Sequence, residues 1–304
     1  MKQLERIKQI INQEFPDFEI RRIEKMGEGE NSKAFIVNGD FIFRLPKSAE
    51  IKESFRKEIA LLPKIKSSLH LDIPHFGFIS KEIRFVGYKI IPGKFLTSKI
   101  YRSLKTASQV NIQKILARFL SQLHKNNLLF LFDCGLTVMN YYEEYSDNLE
   151  RAKQLIFPNI PASKRKIIVQ LFDGYLNNKS NFKYNPSLIH NDFSQDHILF
   201  ENSCGKITGI IDFGDAAIGD PDYDFMYLLD NYGSDFVSGV ANFYGYKNDK
   251  ELFDKLNFFS LANKIQILIG SIQNEEEDDV KEGYKKLKRW FKNYEKKGEY
   301  ASEN

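Results

Sequence analysis

The sequence predicts an α+β chain of two lobes: an N-terminal antiparallel sheet that carries one helix, and a larger, mainly helical C-terminal lobe. Three observations predict it. Short alternating apolar runs flank Asn38-Gly39, helical periodicity takes over from about Thr97, and the turn dipeptide Pro92-Gly93 stands between the two regimes. We therefore divide the chain into residues 1–93 and 94–304.

Leu4, Ile7, Ile11 and Phe15 recur at helical spacing and Pro16 closes the pattern, so the chain should open with an amphipathic helix. A β-prone run with Phe18, Ile20 and Ile23 follows. Residues 34–37 and 41–45 read as strands joined at Asn38-Gly39, a strong hairpin signal because both residues tolerate positive φ. Residues 50–69 read as a helix with Phe55, Ile59, Leu62 and Ile65 on one face, and Pro63 is a point where it could kink or end. Two more strands, over 76–80 and 84–91, complete the sheet. In the second lobe Ile115, Phe119, Leu120 and Leu123 form a helical apolar stripe. Only 188–212 departs from helical patterning, as small strands presenting side chains at a cleft would. The acidic run at 275–279 reads as a solvated helix face or loop.

Lys and Arg number 44 against 41 Asp and Glu, so the net charge of +3 creates no field that points to nucleic acid or a membrane surface. Cys134 and Cys204 stand outside any CxxC pattern, which argues against a disulfide framework or a zinc site and fits a reducing compartment. No apolar stretch suits a signal peptide or a membrane span. We expect a cytoplasmic monomer with no nucleic-acid or membrane partner.

The chemistry concentrates in His190-Asn191-Asp192-Phe193-Ser194-Gln195-Asp196-His197 and in Asp212-Phe213-Gly214, which follows the apolar pair Ile210-Ile211. Phosphoryl transfer needs one carboxylate to take the proton of the attacking hydroxyl and further ligands to hold Mg²⁺ on the nucleotide phosphates. An HxD or a DFG alone is weak. In this order, twenty residues apart, behind a glycine-containing hairpin, they form a strong signal. Gly27, Gly29 and Ser32 lie between two expected strands, where exposed backbone N–H groups can approach phosphates or simply make a turn. Arg44 and Lys47 on the next strand are alternative phosphate cations, and Glu58 on the following helix is an ion-pair partner by position. Between 207 and 235 stand Asp212, Asp215, Asp220, Asp222, Asp224, Asp230 and Asp235 with no Lys or Arg, a cluster that would attract a polycation. Asp220-Pro221-Asp222 resembles a turn and helix start, and Asp224 is a candidate brace for the loop at 190–197; Asp215 and Asp230 are the residues expected to contact a cationic acceptor.

On these motifs the chain resembles the aminoglycoside phosphotransferase family, whose fold is similar to that of protein kinases, over nearly its whole length. The resemblance implies that Asp192 is the catalytic base and that Asp212 binds magnesium. Most relatives place Asn where this chain has His197; the sub-group acting on the 2''-hydroxyl is more similar, with His-Asn-Asp-Phe-Ser, a histidine metal ligand and Ile-Ile-Asp-Phe-Gly-Asp. This assigns His197 to the metal, although imidazole is softer than Mg²⁺ usually selects. It also implies that His190 props the loop. Strand 85–91 should run into a hinge where Tyr88, Lys89, Ile90 and Ile91 meet the nucleobase, with Ile211 lining the nucleotide site from the other lobe. In the sub-group a tyrosine at the place of Tyr88 accompanies GTP as donor, so GTP is expected with ATP as the alternative. The implied reaction is transfer of the γ-phosphoryl to the 2''-hydroxyl of aminoglycosides such as kanamycin and gentamicin, which confers resistance. Choline-, homoserine- or macrolide-kinase activity and a catalytically silent kinase-like module are the competing readings.

Overall fold

A computed structural model describes residues 2–28, 32–202, 205–247 and 249–302, with side chains over 4–26, 32–202, 205–247 and 250–295. The opening helix α1 (Lys2–Glu14) buries Ile7 and Ile11 against the first sheet. That sheet comprises β1 (Ile23–Glu28), β2 (Ser32–Val37), β3 (Phe41–Pro46), β4 (Phe76–Ile79) and β5 (Val86–Lys89). Its order is β1-β2-β3-β5-β4, with every pair antiparallel. At the β2–β3 turn Asn38 and Gly39 take φ of 56° and 82°, and the Asp40 N–H closes onto the Val37 carbonyl at 3.2 Å. Asn38 does more than turn: its amide oxygen accepts the N–H groups of Arg21 and Arg22, and its amide nitrogen donates to the Glu19 carbonyl. The segment before β1 is thereby tied to the hairpin.

Between β3 and β4 runs α2 (Ala49–Ile65), capped by the Ser48 hydroxyl, which accepts the Ile51 N–H. Pro63 removes one backbone donor in the last turn, where little of the helix remains to disrupt, and α2 continues to Ile65. Phe55 and Glu58 in its middle turns are buried against Arg44, while Leu61, Leu62 and Ile65 enter the core of the larger lobe. Backbone pairing ties this part of the chain to the small sheet of that lobe at two points. Residue Asp72 pairs with Gly209, giving its N–H to the Thr208 carbonyl and accepting the Ile210 N–H at 2.8 Å. Further on, β6 (Lys94–Phe95) pairs with a later strand of the same small sheet. Gly93 before it has φ 132°, and a Cβ there would lie 2.9 Å from Thr208 Oγ1 and 3.1 Å from the Phe200 backbone, so only glycine fits.

The larger lobe continues with α3 (Ser98–Ser103), α4 (Thr106–His124), α5 (Leu129–Asp133), α6 (Tyr141–Leu155) and α7 (Ala162–Asn177). Then come β7 (Ser187–Ile189), β8 (Ile198–Glu201), β9 (Lys206–Ile210) and β10 (Ala217–Gly219). These form a β6-β8-β9 sheet and a β7-β10 pair. The chain ends in α8 (Asp224–Tyr232), α9 (Ser234–Tyr244), α10 (Asp249–Gln273) and α11 (Glu277–Ser302). Ile112, Leu116, Phe119, Leu120 and Leu123 of α4 are fully buried, each worth about 1.5–3 kcal/mol of transfer free energy. Phe119 stacks on Phe193 at 5.7 Å, so the core helix directly supports the loop after β7. Part of the acidic run, Glu277 to Asp279, forms the exposed first turn of α11, where carboxylates offset the positive end of the helix dipole. Among the described residues no helix is long and apolar enough to cross a membrane.

Candidate active site

The loop joining β7 to β8 carries residues 190–197 and is held from beneath by one buried carboxylate. Asp224, the first residue of α8, accepts the N–H of His190 at 2.9 Å and of Asn191 at 2.8 Å, and lies 3.0 Å from His124 Nε2. His124 ends α4 and is also bonded to the Tyr244 hydroxyl at 2.8 Å, so it is a brace and does not face the cleft. Asn191 takes φ 68°, an uncommon conformation for a non-glycine residue that the two bonds to Asp224 help to fix. His190 is fully buried, and burial together with His197 pushes its pKa down to about 4. It is therefore neutral and its Nε2 donates to the Ile211 carbonyl at 3.1 Å, tying the loop to the strand that leads to Asp212.

Asp192, His197 and Asp212 come together in one groove. His197 Nδ1 lies 2.8 Å from the Asp192 carbonyl oxygen and 3.5 Å from Asp192 Oδ2, and its Nε2 lies 3.7 Å from Asp212 Oδ2. A carbonyl only accepts, so Nδ1 donates to it, which leaves Nε2, the atom turned toward Asp212, as the nitrogen a metal could take. Burial lifts the Asp192 carboxyl to about 6, with His197 pulling down and Asp215 and Asp212 adding to the rise. Burial also works on Asp212, but Arg44, His197 and His190 overcome it and hold that carboxyl below its ordinary range. Asp215, on the same loop, has an accessible surface but is flanked by enough protein that loss of solvation, and then Asp212, raises its carboxyl. One imidazole nitrogen and one ionised carboxylate fit a divalent ion shared with a polyphosphate. Among the described residues no three His, Cys, Asp or Glu side chains form a closed cage, and Mg²⁺ in nucleotide sites takes few protein ligands.

From the other lobe, Arg44 reaches this groove. Its Nη1 is 3.3 Å from Glu58 Oε1, its Nη2 is 3.0 Å from Asp212 Oδ1, and its Nε donates to Ser32 Oγ at 3.4 Å, while the guanidinium lies 4.8 Å over the Phe55 ring. Burial opposes the Arg44 charge, but Glu58 and Asp212 outweigh it and raise its pKa. Glu58 is wholly enclosed: burial pushes its carboxyl up to about 7 against the pull of Arg44. Arg44 thus takes the interior position, and Lys47 is exposed just past β3. Ser54, one helical turn before Glu58, donates to the Gly214 carbonyl at 2.7 Å.

The remaining nucleotide residues are placed less uniformly. Gly27 sits on β1 opposite Ala34, after a bulge, and Gly29 lies outside the described residues, as does Cys204. Tyr88 is buried edge-on to Phe76 at 5.7 Å, and its hydroxyl is pushed up to about 12 by burial, against the pull of Arg44. At the hinge Lys89 is exposed and Ile90 and Ile91 are half-buried. The Ile90 N–H is taken by the Asp40 carbonyl at 2.8 Å. The Ile211 N–H donates to the His197 carbonyl at 3.0 Å.

On the acceptor side the acidic residues are partly neutralised by cations from α10. Lys255 lies 2.5 Å from Asp220 Oδ2 and 2.6 Å from Asp222 Oδ2, and Asp230 accepts from Ser260 Oγ at 2.7 Å and pairs with Lys264. Asp215 and Asp230 therefore differ: Asp230 is in contact with Lys264, whereas Lys57 and Arg44 act on Asp215 only through their field. Asn263 donates to the Tyr227 hydroxyl at 3.2 Å, and the electrostatic influence of Asp192 reaches that hydroxyl. Sequence reasoning passed over Ser54, Tyr227 and Lys255. Ser54 had one signal, its i, i+4 spacing from Glu58 on a helix face; the other two depend on tertiary packing.

The chain matches the model of the APH phosphotransferase enzyme family over residues 22–258. It is 20% identical over 255 residues to the uncharacterized protein YcbJ of Bacillus subtilis (strain 168), covering 79% of this chain and 80% of that protein. The solved GDP and kanamycin complex of the aminoglycoside phosphotransferase APH(2'')-IIIa matches with a TM-score of 0.91 at 31% identity, covering 95% of this chain and 99% of that one. The streptomycin–ATP ternary complex of APH(2'')-IIa matches at 0.76 with 26% identity, over 93% and 95% of the two chains. With the groove at 192, 197 and 212 assembled on a bilobal kinase-like fold, the chain belongs to the APH phosphotransferase enzyme family.

Proposed function

We propose that the protein is an aminoglycoside 2''-O-phosphotransferase, which moves the γ-phosphoryl group of GTP, or of ATP, to the 2''-hydroxyl of drugs such as kanamycin and gentamicin and so confers resistance. The observation that carries this reading is the meeting of Asp192, His197 and Asp212 in one groove, with Arg44 and Glu58 reaching in from the first lobe. The choice of acceptor draws support from the 31% identity to an enzyme solved with GDP and kanamycin.

In this reading residues 1–93 carry the nucleotide and residues 94–304 the chemistry and the drug. Gly27, Gly29 and Ser32 cover the phosphates, and Arg44, held by Glu58, presents its charge to them. Tyr88 backs the base pocket that residues 89–91 and Ile211 complete. His197 Nε2 and Asp212 would hold Mg²⁺, which when bound neutralises developing charge on the phosphates. Asp192 accepts the hydroxyl proton as the drug oxygen forms its bond to the γ-phosphorus. The bond from that phosphorus to the β–γ bridging oxygen breaks, and the nucleoside diphosphate leaves. Alignment supplies most of the rate, because the transition state is loose. Asp215 is the first amine contact, and at Asp230 an ammonium group must share the carboxylate with Lys264.

Steady-state phosphorylation of kanamycin and gentamicin with GTP and with ATP, followed by NMR location of the phosphate, tests the proposal. Transfer to the 2''-oxygen, abolished in Asp192→Ala, is expected. Absence of transfer to either drug with both nucleotides, or full activity in Asp192→Ala, rejects it.

A further inference from the structure

The loop 212–214 is gripped by α2 in a way that the reaction alone does not require. Asp212 adopts φ 66°, a left-handed conformation uncommon outside glycine, so something must hold it there. Three contacts converge on this short loop. Arg44, fixed by Glu58, bonds the Asp212 carboxylate, the Phe213 N–H favours the charged form of the Glu58 carboxylate, and the Ser54 hydroxyl donates to the Gly214 carbonyl at 2.7 Å. Ser54 and Glu58 lie one turn apart, so both face the loop from the same side of α2. The fit is close. A Cβ at Gly214 would stand 2.6 Å from Ser54 Oγ and 3.6 Å from both Asp212 Oδ1 and Glu58 Oε1.

We propose that Ser54 is a positioning residue for the metal-binding arm: by holding the Gly214 carbonyl it keeps Asp212 in the left-handed conformation that aims its carboxylate at the ion. The inference rests on the functional reading above, because it takes Asp212 as a magnesium ligand. Ser54 touches neither metal nor nucleotide in this account. Without its hydroxyl the loop keeps the Arg44 and Glu58 contacts but loses the restraint at Gly214, and Asp212 samples other backbone conformations. Magnesium must then order the loop when it binds, which weakens its hold.

The test compares Ser54→Ala and Ser54→Thr with the wild-type protein by calorimetric titration of GDP, with and without Mg²⁺. One neutral hydrogen bond is worth about fivefold in an equilibrium constant. In Ser54→Ala the Mg²⁺-dependent gain in GDP affinity should therefore fall about fivefold, while metal-free GDP affinity stays at the wild-type value. Ser54→Thr, which keeps the hydroxyl, should restore the gain. In turnover assays the Mg²⁺ concentration for half-maximal rate should rise while the KM for kanamycin holds. An unchanged Mg²⁺-dependent gain in Ser54→Ala overturns the proposal, as does an equal loss of affinity with and without metal. Were the wild-type protein itself to gain no affinity from Mg²⁺, the functional reading would fall and the proposal with it, an outcome separate from the first two.

Discussion

Asp224→Ala should both destabilise the protein and slow the reaction, and the structure sets the scale of each effect. The carboxylate is fully buried and takes three hydrogen bonds, from two consecutive N–H groups of the catalytic loop and from His124. Removing it leaves those donors enclosed without acceptors. Bonds to a charged acceptor are worth about 1.5–3 kcal/mol each, but relaxation and entering water reduce the sum, and loss of one partner of a buried pair typically costs about 3–5 kcal/mol. At about 2–3 °C per kcal/mol for a chain of this size, the melting temperature should fall by about 6–15 °C. Asp224→Asn keeps one acceptor oxygen and should lose about half as much. The same tether sets the position of Asp192, and a displacement of about 1 Å at the reacting centre can cost about a hundredfold in rate. Thermal unfolding by circular dichroism and kcat at saturating substrates measure the two effects. If Asp224→Ala melts within about 2 °C of wild type, less than one lost hydrogen bond would produce, the tether argument fails.

Further expectations concern charge and backbone. Burial raises Asp192 to about 6, so its basic form disappears as pH falls through that value; carbon NMR of the metal-free protein should find the midpoint there, and an ordinary carboxylate midpoint would refute the burial argument. A raised folded-state pKa means that the folded protein binds the proton more tightly than the unfolded chain, so this group's stabilisation is complete below about pH 4 and lost as pH rises through about 6. Asp192→Asn, inactive but neutral, should therefore be more stable than wild type at pH 7.5 by about 1–3 kcal/mol, with the gap shrinking at pH 5. Gly93→Ala must place a Cβ against Thr208 and the Phe200 backbone at a φ that disfavours it; chemical denaturation should register a loss of about 1–3 kcal/mol, and an unchanged midpoint would mean that the turn is not strained.

What could be read in the chain followed local chemistry. The hairpin at Asn38-Gly39, the stripe on α4 and the order of the 190–197 and 212–214 motifs needed only spacing and side-chain type, and the two motifs meet in space as their chemistry requires. Interactions across the fold were harder. Whether Arg44 or Lys47 faces the cleft depends on strand alternation relative to a sheet edge that a sequence does not locate; Arg44 points in, where Glu58 waits. The acidic stretch after Asp212 looked unopposed because no cation lies within it, yet Lys255 and Lys264 arrive from a helix further along the chain. Pro63 marked a possible helix end, and its position in the final turn made it tolerable.

The small sheet β6-β8-β9 is fastened along both margins by the first part of the chain, at Asp72 on one side and at Lys94 on the other. Backbone pairing on each margin adds to the side-chain ties that Arg44 and Ser54 make to the 212–214 loop. The segment bearing Asp192 leads straight into β8, the middle strand of that sheet, so the groove is built on backbone that the first part of the chain holds on both flanks.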